Sequence, residues 1–428
     1  MRGEPKATWK RLEMRRDDGV DDRGTSLERF RMVSCNVCAS LSFSLPLPLH
    51  LSPLSPHPDT HTLSLALSRS AGVPRLGGGP VRRAGRASSR AACVACACAC
   101  ACAPAIRKVA ACGVNNTDLW TREGAYSAGD DDESGWTPLS FPRIQGADVV
   151  GTVLALGGGV KSPLKGNRVL VNPTIHGDDG ECDCKFVGSE VDGGFASHCV
   201  VPAANAIPIP AECKLKMVEL ASFATAYQTA WHMIKRARVQ KGERVIISGA
   251  SGGVGTALVQ MCAHLGAHVL GITSTAKAKA VRDLGAQAVV TREQASTTKG
   301  LTTALTTLPA ESKVSKAGGY ADVVLDVVAG DQLMPMLDAL RPRGRYACAG
   351  AIAGKFPKVH WPTFYLKQLD LLGCMLATKE EFKELAQLIF DGKLRPLVAA
   401  VFPLKNLREA QTFFQKKTFV GKLVIDCA

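Results

Sequence analysis

The chain has 428 residues, 46% hydrophobic and 21% charged, a composition ordinary for a globular enzyme and a length that exceeds what one core usually holds. Its formal charge is +14, yet residues 1–105 hold 15 Lys and Arg against 8 Asp and Glu, so half the excess sits in the first quarter. No Lys/Arg run is interleaved with aromatics, and no apolar stretch approaches the ~20 residues of a membrane-spanning helix, so neither a nucleic-acid nor a membrane partner is expected.

Residues 1–104 pass from mixed charge through LSFSLPLPLHLSPLSPHPDTHTLSLALSRS into a Gly/Arg/Ser stretch and then the Cys/Ala alternation from Cys93 to Cys102. Ser-Leu and Ala-Cys repeats offer no periodic apolar face, so a disordered segment is expected. Thr60 to Pro104 contains no acid and is rich in Arg, Ser and Ala, as organelle transit peptides are, whereas the stretch from Met1 to Phe30 carries seven acids. A cytoplasmic location, an organelle reached through a transit peptide, and a wrongly assigned start all remain open. Neither Cys35 and Cys38 nor the Cys93 to Cys102 run has the paired spacing of a zinc site. The other cysteines, of 16 in all, are scattered through apolar segments and read as small buried hydrophobes of a reducing compartment.

From Ile106 the texture changes to short Val-rich runs, KVAACGV, ADVVGTVLALG, NRVLVNP and FASHCVVP, which predict an antiparallel, partly closed β unit. A helical stretch is expected from Val218 to Arg238. The runs ERVIISG, AHVLGITS, ADVVLDVV, RYACAGA and LDLLGCML then predict parallel strands, apolar on both faces as a buried sheet requires. Helices are expected over VGTALVQMCAHLG, KAKAVRDLG, DQLMPMLDALRPRG and KEEFKELAQLIFDG. The fold class is therefore α/β, with a doubly wound parallel sheet after a β domain.

The strongest chemical signal is ERVIISGASGGVGTALVQMCAHLGAHVLGI, where a strand enters a Gly-rich turn from which a helix opens. Glycines there let backbone approach a pyrophosphate, and the helix N-terminus offers free N–H groups and partial positive charge. Ala250, Ser251, Gly252, Gly253, Val254 and Gly255 are the candidate phosphate contacts, and Gly350 and Ala351 at the end of RYACAGA are assigned to the same cofactor. An NAD-specific site places an acid about 20 residues beyond the glycines. Here Thr273 and Ser274 stand in that place, no acid occurs between Gly255 and Asp283, and Lys277, Lys279 and Arg282 follow, so NADP(H) is the expected cofactor.

GVNNTDLW, IQGADVVGTVLALG, DGGFASH, TAYQTAW, GASGGVG and the closing GKLVID occur in the order and approximate spacing of medium-chain dehydrogenases/reductases. The chain resembles their quinone oxidoreductase and enoyl-reductase-like branch from Ile106 to Ala428. The resemblance implies a GroES-like catalytic domain over 105–232, a Rossmann domain over 233–392, and a return segment over 393–428 that completes the first. The family's opening strands are not recognised ahead of GVNN, which leaves an incomplete β unit open, and the acidic insertion GDDDESGW is expected as an exposed loop beside the cleft.

Zinc enzymes of this family take their catalytic metal from three places that here read Asn115, Ala147 and Ala221, and the loop that would carry a structural zinc holds only Cys182 and Cys184. No metal is expected. The resemblance puts Asn115 and Thr225 beside the nicotinamide and Tyr126 in the substrate pocket, with Asn115 and Tyr126 as catalytic candidates; Tyr227 is weighed equally as a core residue. Two functions are carried forward: an NADPH-dependent reductase of quinones or α,β-unsaturated carbonyls acting on a small molecule, and a non-catalytic NADPH-binding sensor or partner module. A zinc alcohol dehydrogenase is disfavoured by the missing ligands, and a homodimer is left open.

Overall fold

The computed structural model describes residues 17–20, 26–29, 104–124, 139–157, 164–177, 180–310 and 319–428. The chain divides into Met1–Val94 and Ala95–Ala428. In the first unit, β1 (Asp17–Val20) pairs antiparallel with β2 (Ser26–Arg29). The other expectations for residues 1–103, including those for Cys35, Cys38 and the Cys/Ala run, lie outside the described residues, as do Tyr126 and the GDDDESGW insertion.

In the second unit the β domain is built around β3 (Pro104–Val114), followed by helix α1 (Asn116–Arg122) and then β4 (Asp148–Leu156) and β5 (Arg168–Val171). The strands β6 (Thr174–Gly177) and β7 (Gly180–Phe186) form a separate pair, and β8 (His198–Pro202) and β9 (Ala206–Pro208) return to the main sheet. Val109, Ala111, Cys112 and Val114 are all fully buried, so β3 is covered on both faces. It lies against β4 closely enough that a Cβ at Gly151 would stand 2.2 Å from the Lys108 carbonyl oxygen.

Helices α2 (Met217–Leu220) and α3 (Ala224–Arg236) occupy the stretch expected as one helix from Val218 to Arg238. The break falls where the Ser222 hydroxyl donates to the Glu219 carbonyl, a local bond that competes with helical pairing. Every residue of α3 except Thr225, Lys235 and Arg236 is buried. Its apolar side chains share one core with Ala111, Val150 and Leu170 of the β domain and with Val245 and Ile247 of the next sheet. That helix is thus packed between the two halves of the unit.

The second sheet comprises β10 (Arg244–Ile247), β11 (His268–Ile272), β12 (Ala288–Val290), β13 (Ala321–Asp326), β14 (Leu340–Cys348) and β15 (Asp370–Gly373), with α4 (Gly253–His264) leading from β10 to β11. Its order is β12-β11-β10-β13-β14-β15 and every pairing is parallel, the doubly wound arrangement expected. One helix is shorter than its sequence suggested. DQLMPMLDALRPRG is helical only over Leu333–Ala339, because Pro342 cannot continue the ladder and the chain turns directly into β14.

The chain then returns through β16 (Val398–Pro403), the helix Leu407–Lys416 and β17 (Lys422–Asp426) to the first sheet, ordered β16-β17-β3-β4-β5-β9 with β8 beside β3. Antiparallel pairing of β17 with β3 puts Leu423 opposite Val114. Lys422 is thereby carried from the far end of the chain to the GVNN motif. Among the described residues no helix is long and apolar enough to cross a membrane.

Candidate dinucleotide site

The Gly-rich turn follows β10 at the carboxyl edge of the parallel sheet. Gly249 adopts φ +55°, and Gly255 has no room for a side chain, since a Cβ would meet the Gly249 carbonyl oxygen at 2.1 Å. Gly252 is exposed at the N-cap of α4 and brings no side chain to the first-turn N–H groups. Gly253, Val254 and Gly255 therefore present backbone donors and the positive end of the helix to the groove. Ala250 is buried, tied to β11 by its N–H to the Ile272 carbonyl.

Thr273 and Ser274 sit where β11 ends. Thr273 is 3% exposed and its hydroxyl makes no hydrogen bond among the described residues, although its N–H is bound to Val290. A buried hydroxyl without a partner costs about 1–3 kcal/mol, which a bound polar ligand would recover. Lys277 follows in a short turn whose first N–H to carbonyl contact closes on Ser274. Gly350 and Ala351 come just after β14, and a Cβ at Gly350 would meet the Val327 carbonyl oxygen at 2.7 Å.

The β domain supplies the facing wall. Asn115 follows directly on β3 and is 8% exposed; its Oδ1 accepts from the Lys422 ammonium, while its Nδ2 has no hydrogen-bond partner among the described residues. Lys422 also donates to the Val114 carbonyl at 2.9 Å and pairs with the Asp148 carboxylate at 2.9 Å. Both partners of that ion pair are buried, so removing either one would strand a charge at a cost of about 3–5 kcal/mol. Asp148 in turn accepts from the N–H of Thr225 at 2.7 Å and from its hydroxyl, which fixes the start of α3.

Two contacts close this wall on the phosphate loop: the Gly421 N–H donates to the Ser251 carbonyl at 3.1 Å, and a Cβ at Gly253 would lie 2.9 Å from Cδ of Lys422. Asp118 braces the GVNN turn by accepting from the N–H groups of Asn115 at 2.6 Å and Gly146 at 3.0 Å. Burial pushes its carboxyl up to about 7, with the Asn115 N–H opposing and Asp148 reinforcing the rise.

The structure thus links Asn115 and Thr225, through Lys422 and Asp148, to the turn at Gly253, and ties Ala250 to the end of β11, after which Thr273, Ser274 and Lys277 follow. Tyr227 is core: it is 1% exposed, its ring packs edge-on to Phe223, and its hydroxyl donates to the Arg395 carbonyl while accepting from Gln260. Asp148, Asp118 and Lys422 were not singled out from the sequence, although all three stand in the motifs IQGADVVG, GVNNTDLW and GKLVID. A buried carboxylate bounded by small residues was the available signal. Asp326 was also missed. Its carboxylate ends β13 and accepts from Ser248, Tyr346 and the N–H groups of Val328 and Ala329, shaping the loop opposite the glycines.

The three places that hold catalytic zinc in related enzymes read Asn115, Ala147 and Ala221, and both alanines are buried without a donor. An alanine side chain offers no lone pair, so these three places do not fit such an ion.

The sequence family described as "Alcohol dehydrogenase GroES-like domain" matches residues 105–211, and the one described as "Zinc-binding dehydrogenase" matches residues 253–391. A crystal structure from Sinorhizobium meliloti 1021, provisionally named an alcohol dehydrogenase, is 42% identical, with a TM-score of 0.68 over 76% of this chain and 88% of that one. The quinone oxidoreductase of Pongo abelii is 28% identical over 75% of this chain and 88% of its own length. The acryloyl-coenzyme A reductase of Sulfurisphaera tokodaii is 26% identical over 67% of this chain and 84% of its own.

Proposed function

The chain belongs to the medium-chain dehydrogenase/reductase superfamily, and from that premise we propose that it is an NADPH-dependent oxidoreductase that passes hydride to quinones or α,β-unsaturated carbonyls without zinc. The observation that carries the reading is the end of β11, where the unclaimed Thr273 hydroxyl is followed by Lys277 and no acid occurs between Gly255 and Asp283. An uncharged hydroxyl beside a cation suits a ribose 2′-phosphate, whereas an NAD site would place a carboxylate there. The substrate class is supported by similarity to proteins named quinone oxidoreductase and acryloyl-coenzyme A reductase.

A bound nicotinamide supplies the hydride. The first-turn N–H groups of α4 would receive its pyrophosphate, and Gly350 and Ala351, which follow β14, are assigned to the same ligand. Asn115 is pinned through Oδ1 by Lys422, which leaves Nδ2 free to donate toward the nicotinamide. Thr225 is held by Asp148, so the floor of the groove is preorganised before the substrate arrives. Tyr126 is assigned from the resemblance to hydrogen-bond the substrate carbonyl as negative charge develops and to relay the proton. We read the location as cytoplasm, or an organelle where residues 60–104 serve as a transit signal, and we propose a homodimer.

The test is loss of NADPH absorbance when the protein, stripped of metal by a chelator, meets a panel of quinones and enones. Turnover should persist after stripping and fall about 10- to 100-fold in Tyr126→Phe. Activity that vanishes with the metal and returns with zinc defeats the zinc-free reading; NADPH binding without turnover on any substrate points to the sensor instead.

A further inference from the structure

Asp326 ends β13 with a fully buried carboxylate that accepts from the ends of three strands. Its Oδ1 accepts from the Ser248 hydroxyl, just after β10, and from the N–H groups of Val328 at 2.8 Å and Ala329 at 3.1 Å. Its Oδ2 accepts from the Tyr346 hydroxyl of β14 at 2.5 Å. Ser248 completes the set by accepting from the Val327 N–H at 2.9 Å. Burial, then the Asp326 charge, pushes the Tyr346 hydroxyl up, so it stays a donor at any working pH.

These bonds converge on a strained residue. Ala329 has φ 55° and ψ −145°, a combination open to glycine and disfavoured by a Cβ. It is held by the bond from its N–H to Asp326 and by the neighbours on either side: the Val328 carbonyl accepts from Ala353 at 2.9 Å, and a Cβ at Gly330 would meet the Ala353 carbonyl oxygen at 2.8 Å. The same loop touches the Gly-rich turn, since a Cβ at Gly249 would lie 3.0 Å from Cγ2 of Val328 and 3.1 Å from Cγ2 of Val327. The sheet order β12-β11-β10-β13-β14-β15 reverses its winding between β10 and β13, where open α/β sheets bind ligands beyond the carboxyl ends of their strands. The strained loop therefore stands at that crevice.

We infer that Asp326 is a positioning residue of the reaction: joined to Ser248 and Tyr346, it keeps Ala329 in its disfavoured conformation and so sets the loop 327–330 as a wall for the nicotinamide half of the dinucleotide. This rests on the proposed reading of the chain as a binder of NADP(H). In that reading the 2′-phosphate end belongs at the end of β11 and the pyrophosphate at the turn after β10. The next strand along is β13, which leaves the loop after it to the nicotinamide half. Being fully buried, Asp326 acts through the loop and not on the ligand.

The experiment titrates the full chain with NADPH and with adenosine 2′,5′-bisphosphate, which carries the 2′-phosphate and lacks the nicotinamide, and records thermal unfolding without ligand. The native protein is compared with Asp326→Ala, Asp326→Asn, and Asp326→Ala combined with Ala329→Gly. Asp326→Ala should bind NADPH about tenfold more weakly and the fragment within about twofold of the native protein. Hydride transfer from bound NADPH to a quinone or enone should slow by up to about 100-fold. Asp326→Asn keeps an acceptor for the two N–H groups and should return NADPH affinity to within a few-fold of native. Adding Ala329→Gly should recover most of the loss in Asp326→Ala, because glycine takes the conformation without the carboxylate. Should Asp326→Ala not fold, Tyr346→Phe removes a single donor and should show the same split between the two ligands at about threefold. Equal weakening of both ligands in step with a lowered unfolding midpoint makes the carboxylate merely structural and overturns the inference. Unchanged NADPH affinity in the variant that is read, or a glycine that recovers nothing, overturns it as well. Binding of neither ligand by the native protein defeats the proposed function and this inference together.

Discussion

In the proposed reading, Thr273 carries the cofactor choice on one side chain. Its hydroxyl is buried and makes no hydrogen bond among the described residues, and the next charged residues along the chain, Lys277 and Lys279, are cationic. A carboxylate at that point would accept from a ribose 2′-hydroxyl and repel a 2′-phosphate, so Thr273→Asp should lower NADPH affinity by roughly tenfold or more and raise that for NADH. Titration of both nucleotides into the variant reads this, and an unchanged ratio would show that position 273 does not meet the ribose. At this scale the sequence was legible where chemistry is local. The glycines, Thr273 and Lys277 fall in the single stretch from Gly249 to Lys277 and could be read together. Lys422 bonded to Asn115 and Asp148 could not, because the resemblance returns residues 393–428 to the first domain without giving the register that sets β17 beside β3.

Among the elements, those built on a continuous apolar pattern were legible, and several without one were not. The helix α4 and the strands β10, β11 and β13 fall where their apolar patterns put them. The short strand β12 and the helices Arg292–Ala295 and Thr298–Leu305 were passed over, although Thr291 and Gln294 make a capping box that marks the first of those helices. The edge strand β15 bears on assembly. Among the described residues it pairs only with β14, and its Leu371 is 41% exposed, near in sequence to Trp361 at 61%, Tyr365 at 60% and Leu366 at 73%. An unpaired strand edge flanked by large apolar side chains suits a second copy of itself across a two-fold axis. The protein is expected to sediment as a dimer and Leu371→Lys as a monomer at micromolar concentration. A native monomer, or a Leu371→Lys dimer, would remove β15 from the interface.

Across the whole molecule, the two sheets of the Ala95–Ala428 unit are joined by the core around α3 and by the return of β17, so the groove has a wall from each. The fold class was legible because both textures, Val-rich antiparallel runs and alternating strands and helices, persist over long windows. What a sequence of this kind conceals is how the segment from Val398 to Asp426 completes the first wall, since β16 and β17 gain their partners only by closure of the sheet. The proposed function requires this site to hold a dinucleotide bearing a 2′-phosphate. Calorimetric titration of the purified chain with NADPH and with NADH tests it most directly. One NADPH should bind per chain, at least about tenfold more tightly than NADH; equal affinities, or tighter binding of NADH, would contradict the assignment.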